Sequence, residues 1–170
     1  MFTKIGVFLS PMNNLIKTLA DLNLQIQTIE SFTGGSLSHH FIQHSGASQW
    51  FKQGLVLYQL ETKAKFLGLS LEAMKKIDPV SEQLIKLCLN KALLMFPNTI
   101  TMMTTGNAGP TKQGNHPVGD FYIGISDGKH EQIQFGQAKG SRKQIQQAGL
   151  KMALKMLSEF LSTYYVVSTK

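Results

Sequence analysis

Cysteine is all but missing from this 170-residue chain, which carries one, Cys88. A single thiol excludes any intramolecular disulfide and any zinc cluster built on cysteines, and it suits a reducing compartment. Acidic residues are also scarce, with 10 Asp and Glu against 17 Lys and Arg and a net charge of +7. That balance suits an anionic partner: nucleic acid, a membrane surface or a phosphorylated metabolite. No basic run exceeds two residues, which argues against a polybasic tail. The lack of an aromatic-studded basic segment argues against nucleic acid as the partner. No apolar stretch approaches the ~20 residues of a membrane span. The opening segment, Met1 to Pro11, has only a short apolar run, broken by Pro11, and no small-residue cleavage pattern. These absences predict a soluble, cytoplasmic protein with no membrane partner. Without repeats or low-complexity tracts, the length suits one domain over residues 1–170, with its core at about 12–162.

The most informative stretch present is Ile29-Glu30-Ser31-Phe32-Thr33-Gly34-Gly35. Upstream, Leu24 to Ile29 alternates apolar and polar residues, the period of a half-buried strand. Downstream, Leu37 and Phe41 lie four apart and can share a helical face. Ser31 therefore stands where a strand stops and a helix starts, a good place for a nucleophile. The two glycines expose backbone N–H groups at the positive end of a helix, where phosphate or an oxyanion binds. A glycine-rich turn with a capping Ser or Thr is the plainer alternative.

Periodicity predicts helices over Asn13–Leu22, from the glycine corner to about Gln43, over Glu61–Leu67 closed by Gly68, over Leu71–Lys76, over Glu82–Phe96 behind an N-capping Ser81, and over Ser141–Leu161. Cys88 belongs to the apolar face of the fifth. In the last helix, Ile145, Ala148, Met152, Met156 and Phe160 form the expected apolar stripe. Leu55-Val56-Leu57-Tyr58 reads as a buried strand and Thr99–Thr105 as another. Phe121, Ile123 and Ile125 alternate, and Asp127-Gly128 signals a two-residue hairpin leading to Ile133 and Phe135. The intervening Gly106–Gly119 segment has four glycines, two prolines and no period, the mark of a functional or disordered loop. Together these elements predict an α/β protein: a single three-layer α/β/α domain whose sheet is mostly parallel with one antiparallel strand. Such sheets bind ligands at the carboxyl ends of their strands. Ser31, Tyr58 and Thr105 all fall there and are candidates for one cleft.

These residues resemble the CinA C-terminal-domain family, whose stand-alone members act as nicotinamide-nucleotide amidohydrolases. The similarity runs from about Leu15 to Leu161. It rests on Glu30 to Gly35, Ser45-Gly46-Ala47-Ser48, Tyr58 with Lys63 five residues later and then Leu67-Gly68, Val80-Ser81-Glu82, Thr105 to Pro110, Pro117-Val118-Gly119 and Gly140-Ser141-Arg142. The resemblance implies an anticodon-binding-domain-like α/β fold, a homo-oligomer, and hydrolysis of the carboxamide of nicotinamide mononucleotide by a serine mechanism without metal or cofactor. It implies Ser31 as nucleophile, Lys63 as general base and Tyr58 as a hydroxyl that relays or orients the proton. It further implies Thr33, Gly34, Gly35, Thr105 and Gly106 around the amide and its oxyanion, Arg142 as a substrate-site cation, and the glycine loop over the nucleotide. Departures from the family pattern are Phe32, Gln59, Leu60, Asn107 and Gln146, of which Phe32 and Leu60 are placed to reshape the pocket.

A lysine accepts a serine proton only when neutral, so burial and nearby cations such as Arg142 or Lys65 are expected to lower its pKa. His40 and His44 share a helical face and could chelate a metal, but no acid lies between them and no third ligand is near. His116, in the glycine loop, is placed to touch substrate. A second reading keeps the fold but not the reaction: a catalytically silent module that docks a nucleotide, a partner protein or DNA.

Overall fold

The computed structural model describes residues 11–165, so the expectations for the opening segment lie outside the described residues. In chain order the elements are α1 (Pro11–Asp21), β1 (Gln25–Glu30), α2 (Ser36–Ile42), a 3-10 turn (Ala47–Gln49), β2 (Phe51–Val56), α3 (Leu60–Leu67), α4 (Leu71–Lys75), α5 (Glu82–Met95), β3 (Thr99–Gly106), β4 (Asp120–Ser126), β5 (Glu131–Gln137) and α6 (Arg142–Tyr164). The strands form one sheet in the order β2-β1-β3-β4-β5. The β2–β1 and β1–β3 pairs are parallel, β3–β4 and β4–β5 antiparallel. Only β4 therefore runs against the rest, as the sequence pattern predicts.

Two apolar cores lie on opposite faces of this sheet. Leu15, Leu19, Leu37, Phe41, Ile145 and Phe160 from α1, α2 and α6 pack on Ile26, Ile100, Phe121 and Ile123. Ala64, Met74, Ile85, Cys88 and Leu89 from α3, α4 and α5 pack on Ile29 and Met103. Serine caps set three of the helix starts: Ser70 accepts from Ala73 N, Ser81 accepts from Leu84 N, and Ser141 forms a reciprocal capping box with Gln144. Among the described residues, no helix is long and apolar enough to cross a membrane.

Several expectations change. β1 is buried on both faces rather than half-buried, because its polar residues find partners inside. Gln27 donates to Thr99 and Thr101 and accepts from Gln53, while Thr28 pairs with Ser38. The apolar run ending at Tyr58 is not a buried strand but the end of an edge strand with alternating exposure. The hairpin turn is centred one residue later than Asp127-Gly128: Asp127 N donates to His130 O at 3.2 Å, leaving Gly128 and Lys129 at the tip. Asp127 itself is committed as the acceptor for the backbone N–H groups of Lys129 and His130. On α6 the buried stripe passes through Gly149, Ala153 and Leu157 rather than Ala148 and Met152, which are only half-buried. Gly149 has no side chain to register in an apolar pattern, yet it lies on the buried face.

Phe32, one of the departures from the family pattern named above, turns its ring into the α6-side core. It is 2% exposed and stacks on Phe121 at a centroid distance of 5.3 Å. A Cβ at Gly149 would run into this ring, so the bulk of Phe32 is absorbed by the core.

Gly119 closes the long loop. Its N–H donates to Asn107 O at 2.8 Å and its carbonyl accepts from Ala138 N at 3.0 Å. Its φ of 106° and the Ala138 carbonyl facing its Cα leave no place for a side chain. Gly119→Ala is expected to lose about 2–4 kcal/mol of stability in urea titration, from backbone strain added to a steric clash.

Candidate active site

The chain leaves β1 toward β2 through α2 on one face of the sheet and returns to β3 on the other side of β1 through α3, α4 and α5. The carboxyl end of β1 is thus the switch point where open α/β sheets hold ligands. Ser31 is the first residue beyond it. Its N–H donates to Thr104 O at 3.1 Å, and the preceding carbonyl, Glu30 O, accepts from Leu57 N at 2.8 Å. Both neighbouring strands therefore fix the backbone that carries the hydroxyl.

Glu30 was not expected to matter beyond the motif, yet it organises this corner. It is 0% exposed. Its carboxylate accepts from Gly35 N at 3.0 Å, Leu37 N at 3.0 Å, Ser38 N at 2.7 Å, Thr33 Oγ1 at 2.7 Å and the Ser38 hydroxyl. Thr104 pairs with Thr33, and Thr28 with Ser38, behind this shell. The positive end of α2 is thereby filled from inside, which corrects the expectation that the Gly34-Gly35 backbone offers its N–H groups to a ligand. Gly34 N donates to Ser31 O and Gly35 N to Glu30, and the Thr33 hydroxyl is buried in the same network. Among the described residues, the N–H groups of Phe32 and Thr33 are left without an acceptor. Gln146 Nε2 donates to Phe32 O at 2.7 Å, which orients the Phe32–Thr33 peptide with the Thr33 N–H on its opposite side. The sequence signal for Glu30 was an acid just ahead of a glycine-led helix start.

Lys63 lies on the inward face of α3, 4% exposed. Its Nζ is 3.3 Å from Ser31 Oγ and donates to Tyr58 O at 3.2 Å. Among the described residues it has no carboxylate partner. Burial lowers its pKa below the ordinary 10.5, with a small opposing contribution from Cys88. Burial does this without help from Arg142 or Lys65, which corrects the expected role of nearby cations. At neutral pH Cys88 supplies no counter-charge, because burial pushes its thiol up to about 12.

Tyr58 stands differently from expectation. Its carbonyl, not its phenol, meets Lys63, while the side chain is 59% exposed and its hydroxyl accepts from Arg142 Nη2 at 2.7 Å. Arg142 Nη1 donates to Gly109 O at 2.6 Å. Arg142 thus ties the rim of α6 to both the β2 end and the glycine loop. Thr105 is buried, and its hydroxyl donates to Pro79 O rather than standing free. Gly106 lies tight against Phe121 and the Asp120 carbonyl.

Between these parts lies a cleft of about 280 Å³ bordered by Ser31, Phe32, Tyr58, Lys63, Pro79, Thr105, Gly106, Asn107, Ala108, Gly109, Thr111, Lys112, Gln113 and Arg142. The loop over it is ordered by Asn107, another residue whose part the sequence did not reveal. Its side chain donates to Thr111 O and His116 O and accepts from Gly109 N. His116 does not border the cleft: its Nε2 is 2.7 Å from Asp78 Oδ2, clipping the loop to the segment before α5. Among the described residues no group of three or more His, Cys, Asp or Glu is placed to hold a metal. His40 is held below the ordinary imidazole value by burial and by His44 and His39.

The CinA C-terminal domain family matches residues 10–161. A CinA-like protein of Flavobacterium psychrophilum is 35% identical over 153 residues, covering 87% of this chain and 36% of that protein. A competence-damage inducible protein of Bacillus subtilis is 33% identical over 154 residues, covering 86% and 37%. This chain therefore spans little more than a third of the length of these curated relatives. Among solved structures, competence damage-inducible protein A of Klebsiella pneumoniae superposes with a TM-score of 0.82 at 21% identity, covering 91% of this chain and 96% of that one. The competence/damage inducible protein CihA of Agrobacterium tumefaciens gives 0.79 at 25% identity, covering 91% and 98%.

Glu30→Ala is expected to lower unfolding free energy by about 3 kcal/mol or more in urea titration, because several buried donors lose their acceptor at once. For Lys63 the sign follows from linkage. Folding favours the neutral amine, so wild type carries a penalty that is complete below the folded pKa and fades as pH rises toward 10.5. The stability of Lys63→Met relative to wild type should accordingly be most favourable at neutral pH and decline on alkalinisation, as read by melting temperatures across pH. A pH-independent difference would contradict the shifted lysine.

Proposed function

The chain belongs to the CinA C-terminal domain family, and we propose that it is an amidohydrolase converting nicotinamide mononucleotide to nicotinic acid mononucleotide and ammonia. One observation carries the reaction class: a buried lysine without a carboxylate partner lies 3.3 Å from a serine hydroxyl at the switch point of the sheet. The substrate follows from the family resemblance of the motif residues. The same resemblance brings the homo-oligomeric state into the proposal, and the sequence pattern brings the cytoplasmic setting.

In this scheme Ser31 Oγ attacks the carboxamide carbon as its proton passes to the neutral Lys63 amine. Charge growing on the carbonyl oxygen is received by the N–H groups of Phe32 and Thr33, in place of the Gly34-Gly35 donors that Glu30 occupies. Lys63 then gives its proton to the amide nitrogen, the C–N bond breaks, and ammonia leaves an ester on Ser31. Water adds to that ester while Lys63 takes one of its protons. The Ser31 C–O bond then breaks, the proton returns to Oγ, and the acid departs. The Tyr58 carbonyl holds Lys63 in place, and the Tyr58 phenol holds Arg142 at the rim.

Wild type should release ammonia from nicotinamide mononucleotide, and Ser31→Ala should abolish release. Lys63→Ala should lower kcat by about 10²–10⁴-fold, the range for loss of a general base. Rate should rise with pH as Lys63 loses its proton, with a midpoint below 10.5. A nucleotide that raises the melting temperature yet stays chemically intact would instead favour the silent binding module.

A further inference from the structure

Three cationic side chains border the cleft, Lys63, Lys112 and Arg142, and no Asp or Glu does. Lys63 must be uncharged to accept a proton, so the positive potential at the mouth comes from the other two. Arg142 donates only to uncharged oxygens, those of Gly109 and Tyr58. It also occupies the first position of α6, where the helix dipole disfavours a cation. Among the described residues Lys112 has no ion pair. The backbone on either side of it is nevertheless held, because Asn107 Nδ2 donates to the carbonyl of Thr111 at 2.9 Å and the His116–Asp78 contact anchors the loop farther on. Two uncompensated cations facing one cleft repel each other and attract an anion.

We propose that a phosphate group of the substrate seats between Lys112 and the Arg142 guanidinium, and that Lys112 sets the preference for a nucleotide over the corresponding nucleoside. Lys112 falls between the motif blocks that carry the family resemblance and has no role in the bond-breaking steps. Its ammonium is a mobile point charge suited to a phosphate, and Arg142 is the fixed half of the pair. The proposal rests on the amidohydrolase reading for its substrate and on the charge of the cleft for its site.

The test compares ammonia release from nicotinamide mononucleotide and from the same molecule without its phosphate, in wild type, Lys112→Ala and Lys112→Arg. Wild type should favour the nucleotide. Lys112→Ala should reduce the ratio of the two kcat/KM values by about tenfold or more, the scale of one charge-assisted hydrogen bond, mainly through KM for the nucleotide. Lys112→Arg should restore much of the ratio. An unchanged ratio would overturn the assignment. A second arm titrates inorganic phosphate into the Ser31→Ala protein with and without Lys112→Ala by calorimetry, and about tenfold weaker binding is expected in the double variant. Absent binding, or binding indifferent to Lys112, would overturn the phosphate seat. If wild type releases ammonia from neither substrate, the amidohydrolase reading fails while the calorimetric arm still decides the site.

Discussion

A carboxylate removed from water is tolerated only if other donors replace its hydration, and the shell around Glu30 is the constraint on which the rest of this corner depends. Two backbone N–H groups of α2, the N–H of Gly35 just ahead of it and two hydroxyls converge on it. In meeting that requirement the chain fixes where α2 begins, how the Thr33 side chain turns, and how sharply the backbone leaves β1. Ser31 inherits its position from these bonds and from the flanking strands. A hydroxyl placed by so many independent contacts loses little freedom when a reaction needs it held.

Lys63 presents the opposite arrangement. Glu30 is buried and fully partnered, whereas Lys63 is buried with only a hydroxyl and a carbonyl nearby. A domain selected for stability alone gains nothing from an amine in that position, since an apolar side chain of similar length would fill the space. Such a conflict between burial and charge marks a functional site more often than a structural one. The cleft reinforces the contrast, because its wall collects cations and leaves acids out.

Much of this architecture was legible in the sequence. Period-two and helical patterns locate most strands and helices, and the glycine corner singles out Ser31. Spacing could not foresee relations across the chain. Nothing local says that the carbonyl of Tyr58, rather than its phenol, meets Lys63, because backbone atoms leave no trace in side-chain patterns. Asn107 reads as a loop residue until Thr111, His116 and Gly109 are seen bonded around it. Gly149 disappears from an apolar stripe because a residue chosen for what it lacks contributes nothing to hydrophobic periodicity. β1 reads as half-buried because its polar side chains find their partners on β2, β3 and α2 instead of in solvent.

The pairing of Phe32 with Gly149 bears on how such a chain is reached by single substitutions. An aromatic ring arriving while a side chain still occupied position 149 would collide with it, and glycine arriving opposite a small residue would leave a void. The second defect is the milder one when the missing group is a single methyl. Of the two orders of substitution, glycine first and the ring afterwards is therefore the less costly, and with both present neither is replaced alone without disturbing the layer behind Ser31.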